Sequence, residues 1–177
     1  MAAAALGAVL SPAAASAQTH LEVRWGFDVG SHTATAAALE MVPEPSYGAL
    51  VLRQVRPSLA LFAGYLRTGF GCREGFCVDR ELTVAGHHGA VGAELRRGGA
   101  WARAGVLFGT TEVGTGGEAP EAGPGVMAAA GFTVGEGRVR LVPGVSWRWL
   151  SADTPSRSDH AVALGVDLGV SVRVGGG

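Results

Sequence analysis

Residues 161–174 alternate without a break. Val162, Leu164, Val166, Leu168, Val170, Val172 and Val174 hold one parity, and Ala161, Ala163, Gly165, Asp167, Gly169, Ser171 and Arg173 the other. A side-chain period of two belongs to β-structure, so the run predicts a strand with one wholly aliphatic face. The same period organises residues 21–30, where Leu21, Val23, Trp25, Phe27 and Val29 oppose Glu22, Arg24, Gly26, Asp28 and Gly30. It returns at 125–134, with Val126, Ala128, Ala130, Phe132 and Val134 against Met127, Ala129, Gly131 and Thr133. It returns again at 139–150, with Val139, Leu141, Val145, Trp147 and Trp149 against Arg140, Gly144, Ser146 and Arg148. Segments 48–56, 59–68, 82–95 and 100–111 are also strand-like, although both of their faces carry apolar residues. After residue 17 no apolar run approaches the roughly 18 residues of a spanning helix.

Eight strands result, and their connections alternate in length. Arg56–Ser58, Arg97–Gly99 and Gly135–Arg138 are short turns, whereas 31–47, 69–81, 112–124 and 151–159 are longer loops. In an up-and-down meander all short turns fall at one end and all long loops at the other, as in transmembrane barrels. Pro143 cannot donate to a ladder, so a bulge is expected there.

Alternation does not say which face is wet; composition does. The chain has 29 glycines among its 177 residues, 47% hydrophobic residues and only 16% charged ones. A soluble protein's outer face is crowded with long charged side chains. The face opposite the aliphatic one is instead mostly Gly, Ala and Ser. It carries a sparse set of charges: Glu22, Arg24, Asp28, Arg140, Arg148, Asp167 and Arg173, with Arg53, Glu94 and Arg103 expected to join them. Such residues suit the interior of a narrow eight-stranded barrel, where the charges pair across the lumen. Trp25, Tyr65, Trp101, Phe108, Phe132, Trp147 and Trp149 fall largely towards strand ends, where an aromatic girdle would sit. The alternative places the aliphatic face inward, in a soluble periplasmic lipocalin-like barrel that binds an apolar ligand.

Residues 1–17 are apolar and close on Ala15, Ser16 and Ala17, the layout of a secretory signal peptide cleaved after Ala17, although no basic residue precedes the apolar run. Export to an oxidising compartment favours a disulfide between Cys72 and Cys77 in a glycine-bearing loop, because a zinc site would need a second ligand pair.

With its signal peptide, its short-turn and long-loop alternation and the closing strand 164–174, the chain over 18–174 resembles the small eight-stranded outer-membrane β-barrel family of Gram-negative-type bacteria. The resemblance implies an all-β fold, an eight-stranded antiparallel up-and-down transmembrane β-barrel spanning 18–177. It further implies location in the bacterial outer membrane, outer-membrane lipid as surroundings and the barrel-assembly machinery as partner during insertion. A monomer and a structural or surface-interaction role follow, with the lumen filled by side chains. Members usually close on an aromatic residue, where this chain has Val172, Arg173 and Val174 followed by glycines.

Little points to catalysis. Without lysine there is no P-loop, and no Gly-x-Ser-x-Gly elbow occurs. The Gly123-x-Gly125-x-x-Ala128 match to a dinucleotide fingerprint follows a loop where a strand is required. His87 and His88 point to opposite faces of a strand and cannot share a metal; one of them is expected in the lumen beside a charge such as Glu94. No cofactor and no metal are implied, and a small lipid-modifying enzyme is the minority reading. A net charge of -1 offers no field for nucleic acid. For the cysteines, alkylation of the intact protein without reductant should add no mass, and reduction should expose two reactive thiols; free thiols from the outset would defeat the disulfide.

Overall fold

The computed structural model describes residues 18–32, 40–71, 83–114, 119–156 and 158–175. They form eight strands: β1 (Thr19–His32), β2 (Glu40–Arg56), β3 (Leu59–Gly71), β4 (Thr83–Arg97), β5 (Ala100–Val113), β6 (Ala122–Phe132), β7 (Val139–Ser151) and β8 (His160–Gly175). Each pairs antiparallel with its sequence neighbour, and β8 returns to β1 through a ladder from Thr19↔Gly175 to His32↔Ala161, closing the barrel. Connections over 57–58, 98–99 and 133–138 lie at one end, and the strand ends that flank 33–39, 72–82, 114–121 and 152–159 lie at the other.

Local chemistry sets these boundaries. The β4–β5 turn has two central residues with positive φ, Gly98 at 56° and Gly99 at 86°, a turn whose twist matches that of the flanking strands. Between β2 and β3, Gln54 Nε2 donates to Pro57 O at 3.0 Å and fastens the turn.

Two prolines changed the expected outline. Pro43 and Pro45 lie in a segment read as loop, yet β2 extends through both. Their side chains face outward, and the β2–β3 register shifts between Pro43 and Tyr47, so Pro45 sits where that ladder makes no pairing demand. At Pro143 the expected bulge is absent. The β7–β8 ladder runs regularly through Pro143↔Leu168, while the β6–β7 ladder stops at Gly131↔Gly144 and resumes as the isolated bridge Val134↔Leu141 in the same register. The missing donor opens a gap in one ladder, with no extra residue inserted.

Parity then sorts the side chains. The aliphatic faces of β1, β6, β7 and β8 point outward, and their partner faces point into the lumen. On β2, β3 and β5, whose two faces were ambiguous in sequence, Leu50, Leu52, Phe62, Leu66, Phe70 and Leu107 turn inward and are at most 3% exposed. The lumen is therefore more apolar than its small residues suggested, and large side chains fill the space beside glycines.

Those glycines permit the curvature. A Cβ built on Gly92 would lie 2.2 Å from Ala104 O, and one on Gly109 would lie 1.9 Å from His87 O. Inward positions of a tightly curved sheet press against the next strand, and only hydrogen fits. On the same strand as Gly92, a Cβ on Gly89 meets nothing nearer than Phe108 O at 3.7 Å. Gly92→Ala should lower stability by about 1–3 kcal/mol in detergent-solubilised unfolding titrations, and Gly89→Ala should leave the midpoint nearly unchanged. Equal effects would contradict the crowding.

Candidate functional site: a charged lumen behind an apolar wall

Two buried ionic clusters occupy the lumen. The first centres on Arg103 of β5, whose Nη1 and Nη2 donate to Glu22 Oε1 and Oε2 on β1 at 2.7 and 2.6 Å. Its Nε donates to Glu94 on the adjacent β4. This fork-on-carboxylate geometry is the strongest ion-pair arrangement available to arginine. Arg24 Nη1 also reaches Glu22 at 3.0 Å, and Arg96 holds the other side of Glu94. Trp101 is wedged among them, its ring 5.1 Å from the Arg24 guanidinium carbon and 4.6 Å from that of Arg103. Its indole N–H donates to Phe132 O at 3.1 Å. Trp101 was expected in an outer girdle; it is instead 3% exposed and inside, because its parity is that of Arg103.

The second cluster centres on Arg148 of β7. Nη1 donates to Asp28 Oδ2 at 2.7 Å and to Thr68 Oγ1 at 3.0 Å, and Nη2 donates to Ser146 Oγ at 3.1 Å. Asp167 on β8 lies between the clusters, 3.5 Å from Arg24 Nη2 and 3.6 Å from Arg148 Nη2. At those lengths its contribution is chiefly coulombic.

Of the charges selected from sequence, Glu22, Arg24, Asp28, Arg148 and Asp167 meet within this network. Arg140 and Arg173 share the inward parity but sit at the short-turn mouth. Arg140 Nε donates to Gly137 O at 3.3 Å, and Arg173 O accepts from Arg138 Nε at 3.0 Å. Among the described residues neither forms an ion pair with a carboxylate. Arg53 is a correction: it is exposed on the outward parity of β2, opposite Thr19, beside the short turns. Glu44 lies in a segment whose prolines predict a loop, yet it is buried in the lumen, across the ladder from Asp28. His88 is the inward histidine at 1% exposure, but its neighbour is Thr111 Oγ1 at 3.3 Å, since Glu94 lies six residues further along β4, about 20 Å away. Cys72 and Cys77 lie outside the described residues.

Towards the long-loop end the outer wall carries polar-tipped aromatics. Tyr65 Oη lies 2.6 Å from His87 Nδ1, the Tyr47 and Tyr65 rings are 6.5 Å apart, and the Arg67 guanidinium lies over Tyr47 while Nη1 donates to Pro45 O at 2.6 Å. Trp149 stacks on His160 at 5.8 Å. Beyond them, the Ser151 hydroxyl donates to Asp153 and holds its carboxyl below the usual carboxylate range. Asp153 Oδ1 in turn accepts from Asp159 N at 3.1 Å, tying the β7–β8 connection together.

Chemically, the lumen is a set of charges used on one another. At the short-turn end, a cavity of about 10 Å³ bordered by His20, Glu22, Glu94, Arg96 and Arg140 has room for roughly one water. A carrier barrel has the reverse arrangement, with aliphatic residues around an interior space, so the lipocalin-like alternative does not fit this interior.

An up-and-down antiparallel barrel of eight strands, filled inside and aliphatic outside, is the architecture of the small outer-membrane β-barrels, and this chain has that fold. No protein-family model matches the chain, and no curated protein matches it. Among solved structures it is similar to Neisserial surface protein A (NspA), with a TM-score of 0.64 at 10% identity over 88% of this chain and 97% of that one. It is also similar to Ail, the attachment invasion locus protein of Yersinia pestis, with a TM-score of 0.53 at 9% identity over 88% and 99% of the two chains. Ail in complex with the heparin analogue sucrose octasulfate gives 0.50 at 10% identity over the same shares.

Removing one member of the network leaves its partners buried without full compensation. Arg103→Met, which strips both Glu22 and Glu94 of a guanidinium, should cost about 3–5 kcal/mol of unfolding free energy. Asp167→Ala should cost less, about 1–3 kcal/mol, because Arg24 keeps Glu22 and Arg148 keeps Asp28. Chemical unfolding of the two variants in micelles checks the order, and an unshifted midpoint for Asp167→Ala would place that carboxylate in solvent.

Proposed function

We propose that this chain is an exported, integral β-barrel of a bacterial outer membrane, processed after Ala17 and monomeric in the bilayer. Its role is structural or one of surface interaction, exercised by its long connections and not by a catalytic centre. The observation that carries this reading is the radial inversion of polarity. Phe27 is 58% exposed, Phe108 65% and Val166 68%, while Glu22, Arg103 and Asp28 are at most 3% exposed. Water would penalise that exterior at about 25 cal/mol per Å² of apolar surface, whereas hydrocarbon welcomes it provided every backbone donor is paired. Strands of 11 to 17 residues meet or exceed the roughly 9–11 needed to cross. The fold likeness to NspA and Ail supports the same reading.

The long-loop end has a definite charge. The connections over 33–39, 72–82, 114–121 and 152–159 hold seven acidic residues against three arginines in sequence. A sulfated ligand such as the one bound to Ail has no complement there, so the loops of this chain favour cationic partners.

Fractionation tests the placement. The mature protein should stay with membranes through carbonate and high-salt washes, leave them only in detergent, and migrate differently on gels when unboiled. Release by carbonate without detergent would sink the reading.

A further inference from the structure

The net charge of -1 hides a separation of charge along the barrel axis. Half of the fourteen arginines cluster at the short-turn end. Arg53 and Arg56 flank the β2–β3 turn, Arg96 and Arg97 precede the β4–β5 turn, and Arg138, Arg140 and Arg173 surround the β6–β7 connection and the end of β8. The acids at this end are Glu22, engaged by Arg24 and Arg103, Glu94, engaged by Arg96 and Arg103, and Glu136 in the β6–β7 connection. Among the described residues Arg53, Arg56, Arg97 and Arg138 are exposed and form no ion pair with a carboxylate. Four guanidiniums without a carboxylate partner, gathered at one end of a protein, create a positive field that attracts an anionic neighbour.

The surroundings of these arginines indicate which anion. Arg53 lies in the outward column of β2 between Val51 and Val55, and Arg97 follows Leu95 in that of β4. At the same end Val55 is 44% exposed, Leu95 61%, Phe132 65%, Val134 53%, Val139 55% and Val174 52%. Positive charge is thus interleaved with apolar surface on the side wall. A soluble polyanion would neutralise the arginines and leave the apolar side chains in water. A lipid covers both, acyl chain on the aliphatic residues and phosphate on the guanidinium above, with the arginine stem lying along the boundary. Guanidinium also matches phosphate oxygens in a two-pronged hydrogen bond.

We infer that the short-turn end is a binding collar for the phosphate headgroups of anionic phospholipids in the leaflet that meets it, with Arg53, Arg56, Arg97 and Arg138 as its contacts. This rests on the barrel being membrane-embedded, and the experiment separates the two. The full mature chain is folded into vesicles of phosphatidylcholine alone and of phosphatidylcholine with about 30% phosphatidylglycerol, and its melting is followed by the gel shift of unboiled samples. The anionic vesicles should raise the melting temperature by about 5–10 °C, and about 0.5 M NaCl should remove most of that gain. The variant R53Q/R56Q/R97Q/R138Q should lose most of the gain while melting like the wild type in phosphatidylcholine, and E112Q/E121Q at the opposite end should keep it. Should the quadruple variant fail to fold, the wild-type gain must still scale with phosphatidylglycerol content and fall with salt. The collar is overturned if wild type melts equally in both vesicles, if the quadruple variant keeps the full gain, or if soluble polyphosphate added to phosphatidylcholine vesicles reproduces it. Failure to insert into either vesicle overturns the membrane reading itself, and the collar with it.

Discussion

Closure of β8 onto β1 is the constraint from which the rest follows. An exterior built of Val, Leu, Phe and Trp excludes water from the backbone it covers, and an unpaired peptide group there costs several kcal/mol. A sheet with two free edges would expose a row of such groups on each. The ladder from Thr19↔Gly175 to His32↔Ala161 removes both edges, and the tolerance for proline is correspondingly narrow. Pro45 falls at a register shift and Pro143 at a gap between strand pairings, places where the absent N–H has no ladder partner to lose.

Closing only eight strands forces strong curvature, and curvature decides what the interior can hold. Glycine at positions such as Gly92 and Gly109 lets the inner surface bend until neighbouring carbonyls occupy the place of a Cβ. The room saved is taken by a few large groups: Phe62, Phe70 and Trp101, and the guanidiniums of Arg103 and Arg148. A guanidinium placed there has little solvent, so each is surrounded by acceptors from several strands. Arg103 of β5 ties β1 to β4, and Arg148 of β7 ties β1 to β3 through Asp28 and Thr68. Apart from Arg103 with its ladder neighbour Glu94, these links cross the lumen, so they hold the cross-section as the backbone holds the wall.

How far this was legible in sequence depended on the contrast between the two faces of each strand. On β1, β6, β7 and β8 one parity is aliphatic and the other small or charged, and both the facing and the inward position of Glu22, Arg24, Asp28, Arg148 and Asp167 follow from period two alone. On β2 both parities are apolar, Leu50 and Leu52 against Ala49 and Val51, and composition cannot choose between them. Only the register with β1, which sets Glu22 opposite Leu50, makes the choice. Trp101 shows a different limit: an aromatic near a strand end reads as girdle by position, although the parity it shares with Arg103 sets it inside. Glu44 was invisible for a different reason, since two prolines within three residues mark a turn unless the neighbouring ladder has a break to accommodate them. Partners were not legible at all, because ion pairs such as Arg103 with Glu22, 81 positions apart, are made by closure and leave no local pattern.

With the lumen filled and its charges mutually engaged, what distinguishes one such barrel from another is displaced to its ends. There the overall balance of 14 basic and 15 acidic residues is misleading, because the two signs are not mixed. In sequence, acids outnumber arginines in the long connections, and arginines outnumber acids along the short turns. A reading of net charge averages over that axis and finds almost nothing. Each charge acts only on surroundings within a screening length of about 8–10 Å, so the local balance counts and the total does not. The barrel thus keeps two unlike ends at a separation set by the length of its strands.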